Sequence, residues 1–363
     1  MSRRAPPAVS IVIPVYNYER YVGAAVRSAL AQNLPVLEVI VVDDGSTDGT
    51  PAVLAAFGDQ ITTITQENRG HVQALNRGFA ACRGELVLFL DADDLLRPTA
   101  LDAVAQAWTP GCAKLQFELD VIDGAGEALG RRFCNYVEPY GSEEVRREFV
   151  RFGTYVWPVL SGNVYARWFL EKLLPLTQTI APDGVLNTLA PLYGDVQVIP
   201  RALGCYRLHG ANQSYHGAGS QQIGLRFARQ VALRSSELRL LAEHAASRSV
   251  PLPPGNLLDH DLTFVNYRLM LRKLGQAAEA GDGAFALWRA GVLALLRRPL
   301  PARLKFSHAV WLSALACSPS WLASRLIALR FNRAELLQPL RARLSGRSGG
   351  TRPEESVRKG GPA

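Results

Sequence analysis

The first hundred residues alternate short apolar runs with polar loops and helical spacings. Residues 9–13 are β-branched and continuous, which predicts a short buried strand. Residues 21–32 follow with Val22, Val26, Ala29 and Leu30 at helical spacing. The rhythm then repeats: strands over 37–42, 61–65 and 85–90, and helices over 47–57 and 71–82, with Pro51 suited to a first turn and Gly84 closing the third helix. Strands alternating with helices predict a largely parallel sheet between helical layers. From about residue 112 the pattern changes. Strands are expected over 114–122 and 128–133 around an Asp-Gly-Ala-Gly turn, helices over 161–174 and 183–193, a short strand over 196–199 and a rim segment over 203–208. Beyond 222 the spacing is helical, interrupted by prolines at 251, 253, 254, 299, 301 and 319.

Every early strand ends in a polar cluster: Pro14-Val-Tyr-Asn17, Asp43-Asp-Gly-Ser-Thr-Asp48, Glu67-Asn-Arg-Gly70 and Asp91-Ala-Asp-Asp94. Ligands of open α/β sheets bind beyond the carboxyl ends of the strands, so the four clusters are expected to share one rim.

Charge and cysteine usage add constraints. The net charge of +8 is uneven: residues 225–347 hold 19 Lys and Arg against 7 Asp and Glu. Such a stretch suits an anionic surface or a set of solvated helix faces. Within 285–331, apolar runs lie beside arginines and tryptophan, too short and broken to span a bilayer but fitting a helix at a membrane interface. No nucleic-acid partner is expected. The five cysteines are scattered without a CxxC pair, which predicts neither zinc site nor disulfide framework and a reducing compartment. Residues 1–8 lack the apolar run of a signal peptide, and a cytoplasmic protein, peripheral at the inner face of the plasma membrane at most, is expected. Residues 1–8 and the Gly, Ser and Arg-rich 345–363 are expected to be disordered.

The acids carry the chemistry. Asp91, Asp93 and Asp94 follow five apolar residues, and three carboxylates at the end of a buried strand repel one another unless a cation neutralises them. Such hard oxygen ligands suit Mg²⁺ or Mn²⁺ held jointly with phosphates; a loop that caps the next helix is the plainer reading. Asp43 or Asp44 can accept from a ribose hydroxyl or a base N–H, while Ser46, Thr47 or Asp48 caps the following helix. Tyr16 reads either as a stacking platform or as a core aromatic. His71 reads as a residue at a helix start, and Arg207 either serves an anion or pairs with a nearby acid.

Together, Val12-Ile-Pro-Val-Tyr-Asn17, Val41-Val-Asp-Asp-Gly-Ser-Thr-Asp48, Asn68-Arg-Gly70, Leu75-Asn-Arg-Gly78 and Leu90-Asp-Ala-Asp-Asp94 resemble family 2 glycosyltransferases of the GT-A fold. Ser161-Gly-Asn-Val-Tyr-Ala-Arg167, Asp183 and Tyr206-Arg-Leu-His-Gly-Ala-Asn-Gln-Ser214 continue the resemblance to about residue 215. It implies an α/β, Rossmann-like catalytic domain over 9–215 followed by a helical C-terminal region over 216–344. It also implies an inverting transfer from a nucleotide-diphosphate sugar, with UDP the default base, to a glycan or lipid-linked acceptor in polysaccharide or cell-envelope assembly.

By the same resemblance Pro14, Tyr16, Asn17, Glu19, Asp43, Asp44, Asn68, Arg69, Asn76, Asp91 and Asp93 bind the nucleotide sugar. Asp93, Asp91 and His209 face the metal, and Asp183 is the general base. Many members carry Glu-Asp where this chain has Ala181-Pro-Asp183, so Asp195 and Glu171 stand behind Asp183 as fallback acids. Two rivals differ at identifiable features. An inactive nucleotide-sugar or glycan-binding regulator would not need Asp91, Asp93 and Asp183 together. A nucleotidyltransferase would carry a Gly-rich basic loop after the first strand. A dinucleotide oxidoreductase is excluded by the absence of GxGxxG there.

Overall fold

The computed structural model describes residues 5–134, 136, 140–177, 182–210, 220–276, 279, 281–298 and 300–331. Both termini expected to be disordered therefore lie outside the described residues, apart from 5–8, where Pro7 is buried and the Ala8 carbonyl accepts from Leu86 N. The expected domain boundary at 215/216 also falls outside them.

The first half is a βα alternation. Strands β1 (Val9–Val15), β2 (Glu38–Asp43), β3 (Thr62–Thr65) and β4 (Leu86–Phe89) are separated by helices α1 (Val22–Leu30), α2 (Thr50–Ala55) and α3 (His71–Ala81). These four strands are mutually parallel in the order β3-β2-β1-β4, and every residue of β1 and β4 is buried. The rows are continuous rather than alternating because helices cover both faces of a parallel sheet.

The second half turns the sheet over. A two-residue strand β5 (Leu95–Leu96) precedes α4 (Ala100–Ala107), the long β6 (Cys112–Asp123), its hairpin partner β7 (Ala128–Phe133) and α5 (Ser142–Phe152). Then come β8 (Asn163–Ala166), the short α6 (Arg167–Leu170), α7 (Pro182–Tyr193) and β9 (Asp195–Leu208). The sheet continues β4-β8-β6-β9-β5, with β8 antiparallel to both β4 and β6, and β9 parallel to β6. This corrects the helix expected over 161–174. Asn163–Ala166 is fully buried between two strands, so tertiary pairing overrides a local pattern too short to fix its own period. Likewise the two segments expected over 196–208 are one strand, whose register against β6 shifts near Phe117–Leu119.

Helices α8 (Ser220–Ser247), α9 (Leu262–Lys273), α10 (Ala284–Arg297), α11 (Ala302–Cys317) and α12 (Ser320–Phe331) complete the chain, with Val265, Leu269, Met270 and Leu271 of α9 buried at their centre. No described helix is long and apolar enough to cross a membrane.

One residue sets how closely α3 lies on the sheet. A Cβ on Gly78 would stand 2.3 Å from Val12 Cγ1 and 3.2 Å from Val42 Cγ2. Gly78→Ala is therefore expected to lose about 1–3 kcal/mol by overpacking. In a Val12→Ala background the loss should shrink; denaturant unfolding of the four-member cycle checks this, and equal costs in both backgrounds would refute the contact.

Candidate active site

The loops after β1, β2 and β3 are tied to one another before any ligand arrives. Asn17 adopts a left-handed backbone (φ +57°) and its Oδ1 accepts from Thr47 N at 2.8 Å, while Asn17 N donates to Ser46 Oγ at 2.9 Å. The Glu19 carboxylate accepts from Gly49 N at 2.6 Å, and Glu19 N donates to Asp48 Oδ2 at 3.1 Å. Asp44 fastens the third loop: Oδ1 accepts from Gln66 Nε2 and Arg69 N, and Oδ2 from Gly70 N at 2.8 Å. Gly45, at φ +77°, makes this approach possible, since a Cβ there would lie 2.9 Å from Asn68 N.

The fourth loop carries three acids. Asp91 N donates to Ser161 Oγ at 3.0 Å, and the Ser161 hydroxyl reaches Asp91 Oδ2 at 3.5 Å. His71 Nε2 stands 3.6 Å from Asp91 Oδ1. Burial lowers the His71 pKa to about 4 against the opposing pull of Asp44, so the imidazole is neutral near pH 7. Asp93 Oδ2 meets His209 Nε2 at 2.9 Å, and the His209 ring stacks on Tyr21 at 4.8 Å. Asp94 Oδ1 accepts from Arg207 N, while its buried Oδ2 has no hydrogen-bond partner among the described residues. The buried Arg207 guanidinium donates from Nε to the Asp93 carbonyl at 2.8 Å and from Nη1 to the Asp123 carbonyl at 3.2 Å, which pins the acidic loop to the end of β6.

Burial raises all three carboxyl pKa values. Asp93 and Asp183 push Asp91 further, Asp93 and Asp91 push Asp94 further, and the His209 bond opposes the rise at Asp93. The same acids, after burial itself, raise the Tyr18 hydroxyl.

Asp183, in the first turn of α7, therefore lies within electrostatic reach of Asp91, although 92 positions separate them in the chain. Burial raises its carboxyl pKa, opposed by the Gly184 and Asp183 backbone N–H groups and by Lys114. The floor beneath is polar and buried. Lys114 Nζ bonds Gln116 Oε1 at 2.8 Å and the Tyr155 hydroxyl at 3.1 Å; Tyr155 in turn donates to the Asn187 carbonyl at 2.8 Å. From the other side α8 supplies Glu237, whose Oε1 would be 1.9 Å from a Cβ on Gly184. Arg234 holds Glu237 Oε2 at 2.7 Å and also bonds Thr188 and Thr154.

The predicted residues thus divide. Asp91, Asp93, His209 and Asp183 gather in one electrostatic neighbourhood. Pro14 is the penultimate residue of β1 and Tyr16, just beyond the strand, is 42% exposed. Asp43 is buried with Oδ1 accepting from Ser46 N, and Arg69 is exposed beside Glu67. Asn68 is an exposed loop residue. Both ends of the Asn76 amide clamp the Leu176 backbone, at 2.8 and 2.9 Å, so its side chain ties α3 to that segment. Asn17, Glu19 and Asp44 spend their side chains on backbone N–H groups of neighbouring loops, so they shape the rim rather than project from it. The fallback acids fare worse: Asp195 is exposed at the start of β9, and Glu171 is exposed beside Arg167. Tyr18, Tyr21, Ser161, Glu237 and His71 also border this neighbourhood without having been expected there; Tyr18, Ser161 and His71 stood in or beside a readable motif, whereas Tyr21 and Glu237 did not.

Among the described residues no three His, Cys, Asp or Glu side chains form a ready-made metal cage. An open arrangement nevertheless suits a cation held by one or two carboxylates together with phosphates. The partnerless Asp94 Oδ2 and the mutual repulsion of Asp91, Asp93 and Asp94 are the features a cation would relieve, so the residues fit one.

A family description, glycosyl transferase family 2, matches residues 10–141. An uncharacterized glycosyltransferase of Nostoc sp. is 34% identical over 221 residues, which span 58% of this chain and 68% of that protein. The succinoglycan biosynthesis protein ExoO of Rhizobium meliloti is 37% identical over 126 residues, 34% of this chain and 36% of that protein. Among solved structures, S. aureus TarS 1–349 in complex with UDP-GlcNAc shares 17% identity, covering 84% of this chain and 89% of that one at a TM-score of 0.49. Over much of the curated set the chain spans about a third of the relative's length. The chain belongs to glycosyltransferase family 2. It is a glycosyltransferase, with the α/β fold class expected from its sequence.

The raised carboxyl pKa values carry a stability consequence. A carboxyl whose folded pKa lies above its unfolded one contributes stability below the unfolded value and loses it as pH rises through the folded value. Asp91→Asn should therefore unfold at a higher temperature than the wild type at pH 7, with the gap closing toward pH 4. Thermal melts across that range test it; a variant less stable at pH 7 would contradict the repulsion.

Proposed function

We propose that this enzyme transfers a sugar with inversion from a nucleotide-diphosphate sugar, UDP first, to a hydroxyl of a glycan or lipid-linked acceptor. Asp183 is the general base, and Mg²⁺ or Mn²⁺ is held by Asp93, Asp91 and His209. The observation that carries the reading is the approach of Asp183 to the Asp91–Asp94 cluster from a separate helix. Inverting displacement needs two opposed negative centres, one neutralising a cation and one accepting a proton, on different sides of the sugar.

Each residue then has a task. The acceptor oxygen attacks the anomeric carbon, its proton passes to Asp183, and the bond to the diphosphate oxygen breaks with its electron pair leaving on the phosphate. Burial makes Asp183 a stronger base than a solvated carboxylate, with its ionised form still supported by the Gly184 N–H. When bound, the metal stabilises charge on the departing diphosphate. Arg207 keeps the acidic loop in place, and Tyr16 with Asp43 takes the base and ribose. The name of the Rhizobium relative supports polysaccharide assembly as the setting, and the free cysteines support a cytoplasmic site. Peripheral contact with a membrane through 285–331 completes the reading.

Asp183→Asn is expected to keep donor affinity and lose about 10²–10⁴-fold in transfer rate. Asp93→Ala should abolish the Mn²⁺-dependent stabilisation by nucleotide while folding normally. A thermal-shift screen of UDP-, GDP- and dTDP-sugars with and without Mn²⁺, followed by turnover assays, measures both; transfer by Asp183→Asn at the wild-type rate would assign the base elsewhere.

A further inference from the structure

The C-terminal helices hold a surface that the transfer reaction leaves unused. Residues 283–334 include eight Lys and Arg and no Asp or Glu. Five of those cations, Arg289, Arg297, Arg298, Arg303 and Lys305, lie on or between α10 and α11, and none pairs with a carboxylate among the described residues. The two helices form a hairpin. Trp288 Nε1 donates to Ser313 Oγ at 2.9 Å, and a Cβ on Gly291 would lie 2.7 Å from Leu312 Cδ1, so these residues mark the seam.

Helical geometry then fixes what borders that seam on the outside. Phe285 and Leu296 lie within roughly 80° of Trp288 around α10, and Phe306 and Val310 within roughly 60° of Ser313 around α11. All four face solvent, with Phe285 at 73%, Leu296 at 67% and Phe306 at 72% exposure. Arg289 and Arg303 stand on the same outer arcs, both exposed. Two antiparallel helices thus present apolar side chains along one seam, flanked by cations. Trp311, by contrast, turns inward to Asn266 Oδ1 at 2.8 Å, so the apolar run 309–317 lends Val310 but not its tryptophan to the exposed face.

We propose that the outer face of the α10–α11 hairpin docks on an anionic phospholipid surface, Phe285, Leu296, Phe306 and Val310 entering the headgroup layer and Arg289, Arg297 and Arg303 meeting lipid phosphates. This deepens the membrane part of the reading above by naming the face and the lipid class. Charge selects the occupant. A second copy of the same face would set these arginines against themselves, whereas an anionic bilayer matches both the cations and the exposed apolar groups. The cavity of about 340 Å³ beside α10 adds no competing site: its buried Arg268 is already paired with Asp282 and Asp259, so Arg289 and Arg297 on its border remain for the surface.

The test is co-sedimentation of the full chain with vesicles of phosphatidylcholine alone or with about one-third phosphatidylglycerol. Binding is expected only to the anionic vesicles and should weaken with salt. Arg289→Glu/Arg297→Glu/Arg303→Glu should reduce it by about a hundredfold or more, since each cation near the surface contributes about fivefold. Leu296→Ser/Phe306→Ser should reduce it without changing the salt slope. Turnover on a soluble acceptor, measured in parallel, should be unchanged by either set, which separates failure of docking from failure of the transferase reading. Equal binding to neutral vesicles, full binding by the charge variant, or assembly into dimers or capture of RNA through this face without vesicle binding would each overturn the proposal.

Discussion

Three carboxylates held side by side at the end of a buried strand are the constraint around which the catalytic half is organised. Left alone they would repel and draw in water or protons. Here they are fixed by groups from two separate places, Ser161 before β8 and Arg207 and His209 at the end of β9, with the neutral His71 ring 3.6 Å from Asp91 at the start of α3. The pairing of β4 with β8, and of β6 with β9, brings those groups to one spot. The antiparallel second half of the sheet thus works as the clamp for a negative cluster produced by the parallel first half.

The rim is held in a different way. Asp44, Asn17 and Glu19 spend their side chains on backbone N–H groups of neighbouring loops. Such bonds leave few loose backbone groups and fix the loops relative to the sheet before any ligand arrives. Tyr16 and Asp43 remain as the groups with surface or an oxygen left to offer.

What could be read from the chain follows from where the information sits. Strands β1, β2 and β4 are legible because each is a continuous apolar run ending in a turn cluster, and β3 because its threonines and Ile64 are β-branched; the acids at the strand ends follow directly. Asn163–Ala166 was not legible, since four residues cannot show a period and only the two flanking strands decide their state. Asn76 lay within a recognisable motif, yet its partner is the backbone of Leu176, a hundred positions away, which no local pattern announces. The same holds for Glu237, whose approach to Gly184 depends on how a whole helix is laid down. Sequence spacing reports the chemistry available at a strand end; long-range packing decides which of those groups keep it for a ligand.

The contact between Glu237 and Gly184 has a wider consequence. Because α8 puts a carboxylate against the helix that bears Asp183, and Arg234 anchors it through Thr188 and Thr154, the C-terminal region is built into the surroundings of Asp183 rather than appended to them. Swapping that region between related enzymes would exchange the electrostatic surroundings of Asp183 along with whatever surface the swap was meant to carry, so the two are inherited as one module.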